Sequence, residues 1–186
     1  MQHSPLIEKH LFKLQSLQAS KQAPVLDLAC GQGRNGLYLV ENDVAVTFAD
    51  VNGEALGQID HSLKQLSTNK QKLAQCWQVD FEQENTTPLH DKCFSAVMVF
   101  RYLHRPLFEQ IKAAIKPGGM IIYETFTQQQ AQFGRPKNPD FLLKPAELTE
   151  LFEGWQILHI FEGVVNASQN CITKQAIAQI VAVKPS

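Results

Sequence analysis

The chain has 186 residues, enough for one α/β domain whose core needs no covalent staples. Its formal net charge of −1, with 44% hydrophobic and 19% charged residues, lacks the basic excess of a nucleic-acid binder. No apolar run approaches the roughly 20 residues that cross a bilayer, and the polar N-terminus with Glu8 is no signal peptide, so a cytoplasmic protein is expected.

Leu6, Ile7, His10, Leu11, Leu14 and Leu17 recur at helical spacing, which predicts an amphipathic helix over residues 4–19. Ser4-Pro5 supplies an N-cap and a first-turn proline. Residues 24–29 then read as a short buried strand ended by Gly31-Gln32-Gly33, and residues 35–42 as a helix. A second strand over 44–49 stops at Asp50, a helix follows over 54–66, and a third strand over 73–79 stops at Asp80. Residues 94–100 form a fourth strand, apolar enough to be covered on both faces. A helix over 107–115 and the turn Lys116-Pro117-Gly118-Gly119 lead into a fifth strand over 120–125. A long irregular stretch, 126–144, precedes a short helix over 145–152 and two last strands over 155–161 and 176–183.

Strands alternating with helices predict a doubly wound, mostly parallel sheet of seven strands within one domain spanning 1–186. The last two strands are joined by a loop too short for a helical crossover, so they are expected as an antiparallel pair at one edge. A structureless stretch as long as 126–144 in a compact domain suggests a substrate loop. Cys30, Cys76, Cys93 and Cys171 have neither ligand nor redox spacing and read as small buried residues of a reduced compartment. The six histidines are scattered, and no metal site is expected.

Ligands of an open α/β sheet bind beyond the carboxyl ends of the strands, where strand order reverses. Those ends carry Gly31-Gln32-Gly33, Asp50, Asp80, Phe100-Arg101 and Thr125. Glycine lets backbone approach a ligand, and the helix that follows points its amides at the same place. Asp50 lies 19 residues after Gly31, where a carboxylate can accept both ribose hydroxyls of a nucleoside. Asp80 can accept a bond from an adenine amino group, with Phe81 beside it to cover the ring. Gly31-x-Gly33-x-x-Gly36 also satisfies the dinucleotide fingerprint. Asp27, four residues before the first glycine, decides against that: its charge would repel a pyrophosphate but suits the ammonium of an amino acid. An amino acid joined to a nucleoside fits better.

The run from Val25 to Arg34, followed in order by Asp50, Asp80 and Lys116-Pro117-Gly118-Gly119, resembles class I S-adenosylmethionine-dependent methyltransferases. Leu26-Asp27-Leu28-Ala29-Cys30-Gly31-Gln32-Gly33-Arg34-Asn35 is similar to the small tellurite-resistance (TehB-like) branch. The resemblance implies S-adenosylmethionine as cofactor and S-adenosylhomocysteine as product. By the same resemblance Asp27, Ala29, Gly31 and Gly33, with Cys30, would hold the methionine part. Asp50, with Val51 beside it, would hold the ribose, and Asp80 with Phe81 the adenine. The backbone near Phe100 and Arg101 would contact the amino end.

The acceptor side has less signature, because the methyl group of a sulfonium is already activated and needs mainly an aligned nucleophile. Candidates are Arg101, Tyr102, His104 and Arg105 after strand four, Glu124 and Thr125 on strand five, and Arg135 and Asn138 in the long loop. Arg101, His104 and Arg135 are the expected catalytic set, two guanidiniums and an imidazole suited to an acid, a thiol or a metalloid oxyanion. Strand four is not followed by Asn-Pro-Pro-Tyr or Asp-Pro-Pro-Tyr, tetrapeptides that position amino groups in nucleic-acid and glutamine methyltransferases. A small-molecule acceptor is therefore expected, with no membrane or nucleic-acid partner, for a monomer or weak homodimer. The alternatives are an RNA or protein methyltransferase, an NAD(P)-binding oxidoreductase and a non-catalytic cofactor-binding module.

Overall fold

The computed structural model describes residues 2–18, 23–167 and 173–186. Seven strands form one sheet: β1 Val25–Leu28, β2 Val46–Asp50, β3 Ala74–Gln78, β4 Phe94–Phe100, β5 Ile115–Phe126, β6 Gln156–Asn166 and β7 Lys174–Val183. Their order is β3-β2-β1-β4-β5-β7-β6, parallel from β3 to β5, with β7 antiparallel to both β5 and β6. The expected doubly wound sheet with its antiparallel C-terminal pair is the one observed. Chain order reverses between β1 and β4, which pair in register from Val25↔Ala96 to Leu28↔Val99. That crevice is where such a sheet binds its ligand.

The central strands β1 and β4 are buried on both faces, which is why they read as unbroken apolar runs. One face is covered by α1 (Pro5–Leu17), α2 (Arg34–Glu41) and α3 (Gly53–Leu63), whose Ile7, Leu14, Leu39 and Ile59 meet Phe48, Met98 and Ile122. The other face is covered by α5 (Phe108–Ala114) and α6 (Glu147–Leu151), with α4 (Thr68–Gln71) a single turn before β3. There Phe108 stacks on Tyr123 with 5.4 Å between ring centroids, and Phe152 packs edge-on against both Phe108 and Trp155.

Three local differences have physical causes. Lys116-Pro117-Gly118-Gly119 does not precede β5 but bulges out of it: pairing jumps from Phe94↔Ile115 to Ala96↔Met120, and Gly118 takes φ +69°. β6 continues past Phe161 to Asn166, because β7 supplies ladder partners along its whole length. The last helix starts at Glu147, since Ala146 is left-handed and its N–H is drawn to Glu162 Oε2 at 3.0 Å. Between β3 and β4 the chain makes turns, with Asn85 and Asp91 at positive φ.

The stretch 126–144 is held rather than loose. Its base is closed by Gln128 N–H to Leu143 O and Leu143 N–H to Phe126 O. Within it lie two 3-10 turns, Gln128–Gln132 and Pro139–Phe141. Buried Gln130 pins it inside, accepting from Ala176 N at 2.8 Å and donating to Arg135 O at 3.1 Å. Cys30 and Cys76 are half-buried free thiols, but Cys93 is exposed, unlike the buried residue expected; Cys171 lies outside the described residues.

Candidate active site

β1 ends in a turn built by sterics. Ala29, Gly31 and Gly33 all adopt positive φ, and a Cβ on Gly31 would meet no described atom within 4 Å. That open space leaves the backbone there accessible to a ligand. A Cβ on Gly33 would strike Ile59 Cδ1 at 2.7 Å, so this glycine seats α2 on α3. Asp50, at the end of β2, accepts from Gly31 N at 2.7 Å through Oδ2 and from Asn52 N at 2.9 Å through Oδ1. One oxygen is thereby tied to the turn after β1 and the other to the start of α3.

Asp27 is 3% exposed, and its Oδ2 accepts from Gly36 N at 3.1 Å. Burial pushes its pKa up to about 8, against the Gly36 bond and the Arg34 charge, which favour the ionised form. A carboxyl so poised wants a cation. The Cys30 thiol is also pushed up, chiefly by burial and then by Asp27 and Asp50, so it is a poor nucleophile.

Two cavities open at this end of the sheet. The first, about 490 Å³, is lined by Asp27, Ala29, Cys30, Gly31, Gln32, Arg34, Asn35, Phe100 and Arg101. The second, about 250 Å³, is lined by Glu82, Arg101, Tyr102, Leu103, Thr125, Phe126, Pro136 and Phe141. Arg101 belongs to both. It sits at φ +61°, a conformation that costs a side-chain-bearing residue roughly 1–2 kcal/mol. Its N–H donates to Glu124 O at 2.8 Å, its Nη2 lies 3.0 Å from Glu124 Oε1, and its guanidinium covers the Phe126 ring at 4.4 Å. Glu124 is in turn held by Gln179 Nε2 at 2.6 Å, and Gln179 Oε1 pairs with His159 Nε2 at 2.9 Å. Burial lowers the Arg101 pKa and the Glu124 charge opposes this.

Of the residues expected at the cofactor, Asp27, Ala29, Cys30, Gly31, Phe100 and Arg101 line the first cavity together. Asp50 is not in its wall but is hydrogen-bonded to Gly31, which is, and Val51 beyond it is exposed. Gly33 lies beneath the turn, and Asp80 stands at the end of β3, where its Oδ1 accepts from Glu82 N at 2.8 Å. Phe81 points into the core and packs edge-on against Trp77 at 5.7 Å. His104 caps the 3-10 turn Arg105–Leu107 and lines neither cavity, while Arg135 is exposed on the loop and leaves the wall to Pro136. Arg105 is structural. It forms a bidentate pair with Glu147, at 2.6 and 2.9 Å, and donates to Asp140 O and Leu142 O.

Sequence reasoning passed over Gln32, Arg34 and Asn35 in the first cavity and Glu82, Phe126, Pro136 and Phe141 in the second. The first three lie inside the recognised motif. Glu82 had a weak signal, two residues beyond a strand-end aspartate, and Phe141 a stronger one, an aromatic residue in a polar loop.

The family model described as "Tellurite resistance protein TehB" matches residues 5–175. No curated protein matches. Among solved structures, TehB from Haemophilus influenzae superposes with a TM-score of 0.70 at 20% identity, over 93% of this chain and 62% of that one. The chain thus spans less than two thirds of that relative. An S-adenosylmethionine-dependent methyltransferase from Methanosarcina mazei superposes at 0.67 with 16% identity, over 100% and 99% of the two chains. The N-methyltransferase NodS from Bradyrhizobium japonicum does so at 0.64 with 16% identity, over 98% of each. These likenesses establish a shared methyltransferase fold, and the family match over nearly the whole length places the chain in the TehB family.

Proposed function

We propose that the protein binds S-adenosylmethionine in the 490 Å³ cavity and methylates a small molecule held in the 250 Å³ cavity. The observation that carries this is Arg101, the wall common to both, which puts donor and acceptor on either side of one residue. The donor set fits the cofactor. Asp27 suits its ammonium, the guanidiniums of Arg34 and Arg101 its carboxylate, Gly31 its close approach and Asp50 its ribose hydroxyls. Asp80 serves the adenine from the next strand end. NodS has been solved with S-adenosylhomocysteine and the glycopeptide N-methyltransferase MtfA with S-adenosylmethionine, which supports the same cofactor on the same fold.

When bound, the cofactor supplies an activated methyl carbon whose leaving group is a neutral thioether. The chain's own contribution is to orient and enclose. Phe126, Leu103, Pro136 and Phe141 keep water from the acceptor side, and the tethered loop holds two of them in place. Acid, thiol or metalloid acceptors would depend on cations facing them. Arg101 retains one buried nitrogen, Nη1, without a hydrogen-bond partner among the described residues, and that is their support. Free Cys30, Cys76 and Cys93 favour a reducing cytoplasm. Among the described residues no helix is long and apolar enough to cross a membrane.

Methyl-labelled S-adenosylmethionine, incubated with the protein and a size-fractionated extract, tests the reading. Label is expected in the small-molecule fraction; label in RNA or protein alone overturns the small acceptor. Thermal stabilisation by NAD but not by S-adenosylhomocysteine overturns the cofactor.

A further inference from the structure

The acceptor cavity has a charge pattern that the methyl donor does not explain. Two ionisable groups of opposite sign line it, Arg101 and Glu82. Arg101 is already compensated by Glu124 at 3.0 Å, and its face is occupied by Phe126. Glu82 forms no ion pair among the described residues, and its side chain is exposed. Its place is set by its own N–H, which donates to Asp80 Oδ1 at 2.8 Å. The Tyr102 hydroxyl is shielded from water and faces Glu82, whose charge and side-chain contact with it hold the phenol in its protonated form. Asp80 and Asp50 add further negative charge around that hydroxyl. The remaining wall is largely apolar: Leu103, Phe126, Pro136 and the half-exposed ring of Phe141.

We propose that this cavity receives an amine, a small acceptor with an apolar or aromatic body whose ammonium is taken up by Glu82 and Tyr102. The assignment rests on the first cavity being the methyl-donor site. An acid would meet Glu82, and the one guanidinium facing it, Arg101, already shares its charge with Glu124; a thiol beside this carboxylate would be held in its less nucleophilic protonated form. An ammonium instead gains the carboxylate, and its attached body gains the aromatic wall. Transfer then requires one proton to leave first. A Glu82 carboxylate oxygen accepts it from the ammonium and becomes the acid. The nitrogen lone pair so freed forms the new N–C bond, while the C–S bonding pair stays with sulfur. The product is a methylated ammonium, and Glu82 returns its proton to solvent.

The test uses the full chain saturated with S-adenosylhomocysteine and two probes of matched shape, phenethylamine and phenylacetate, titrated to millimolar concentration and followed by protein NMR. Phenethylamine is expected to bind at least about tenfold more tightly than phenylacetate, a difference of about 1.4 kcal/mol. Glu82→Gln is expected to abolish that preference, and Tyr102→Phe to weaken it, both with S-adenosylhomocysteine affinity retained as proof of folding. Equal or tighter binding of phenylacetate, no binding of phenethylamine, or an unchanged preference in Glu82→Gln overturns the amine assignment. Failure of the wild-type chain to bind S-adenosylhomocysteine overturns the cofactor reading instead, so the two failures are distinguishable.

Discussion

Gly36 donates its backbone N–H to Asp27 Oδ2 at 3.1 Å, so the third glycine of the turn is a partner of the buried acid and not merely a spacer. The carboxyl at the centre of the site is thus held by the first turn of the helix that follows it. What the pair does depends on pH.

Burial raises the Asp27 pKa from 3.8 to about 8, so between these values the folded chain keeps a proton that the unfolded chain gives up. The contribution of this group to stability is full below the lower value, falls as pH rises through the window and levels off above about 8. Urea midpoints should therefore decline more steeply for the wild type than for Asp27→Asn between about pH 5 and about pH 8. Binding the cofactor's ammonium calls for the ionised carboxylate, so S-adenosylhomocysteine should release about one proton near pH 6.5. Calorimetry in two buffers of different ionisation enthalpy measures this, and Asp27→Asn should abolish the release.

A Cβ at Gly36 would collide with the Phe48 ring and lie 2.9 Å from Asp27 Oδ2. Gly36→Ala should cost about 1–3 kcal/mol of stability by urea unfolding, despite the better helix propensity of alanine, and should weaken S-adenosylhomocysteine binding. Gly57, on α3, is the contrast: a Cβ there meets no described atom within 4 Å. Gly57→Ala should stabilise the chain by about 0.5–1 kcal/mol and leave binding unchanged.

Arg105 joins the segment after β4 to Asp140, Leu142 and Glu147, the far end of the long loop. Arg105→Ala should lower stability by about 1–3 kcal/mol and speed amide exchange in residues 127–143, where the loop base lies. Arg105→Lys should rescue only part, because a lysine cannot form the bidentate pair. Unchanged exchange in that segment would show that Gln130 and the backbone bonds at the loop base hold it without Arg105.

Glu124→Gln keeps the shape of the contact to Arg101 but removes the compensating charge, which is 7% exposed in the native chain. Stability should fall by about 1–3 kcal/mol. If charge sets acceptor choice, phenylacetate should gain on phenethylamine in the same variant. Paired titrations in wild type and variant measure this.

Much of the first cavity was legible in the chain itself. Asp27, Gly31 and Asp50 lie within one β-α-β unit, where hydrophobic period, glycine and strand-end position are local properties that survive without knowledge of the fold. The run of buried strands, their order of direction and the antiparallel final pair follow from the same short-range signals. The second cavity was not readable this way. Its walls come from four separated segments, around Glu82, Arg101, Thr125 and Phe141, which only the sheet brings together. Arg101 looked like a free cation until β5 placed Glu124 against it and β7 placed Gln179 behind. Arg105 looked equally available until Glu147, 42 residues away, took its guanidinium. Phe81, beside Asp80 in sequence, turned inward because the core beside Trp77 offered its ring more burial than the surface did. A charge or a ring has its meaning set by its partner, and partners far along the chain are chosen by packing.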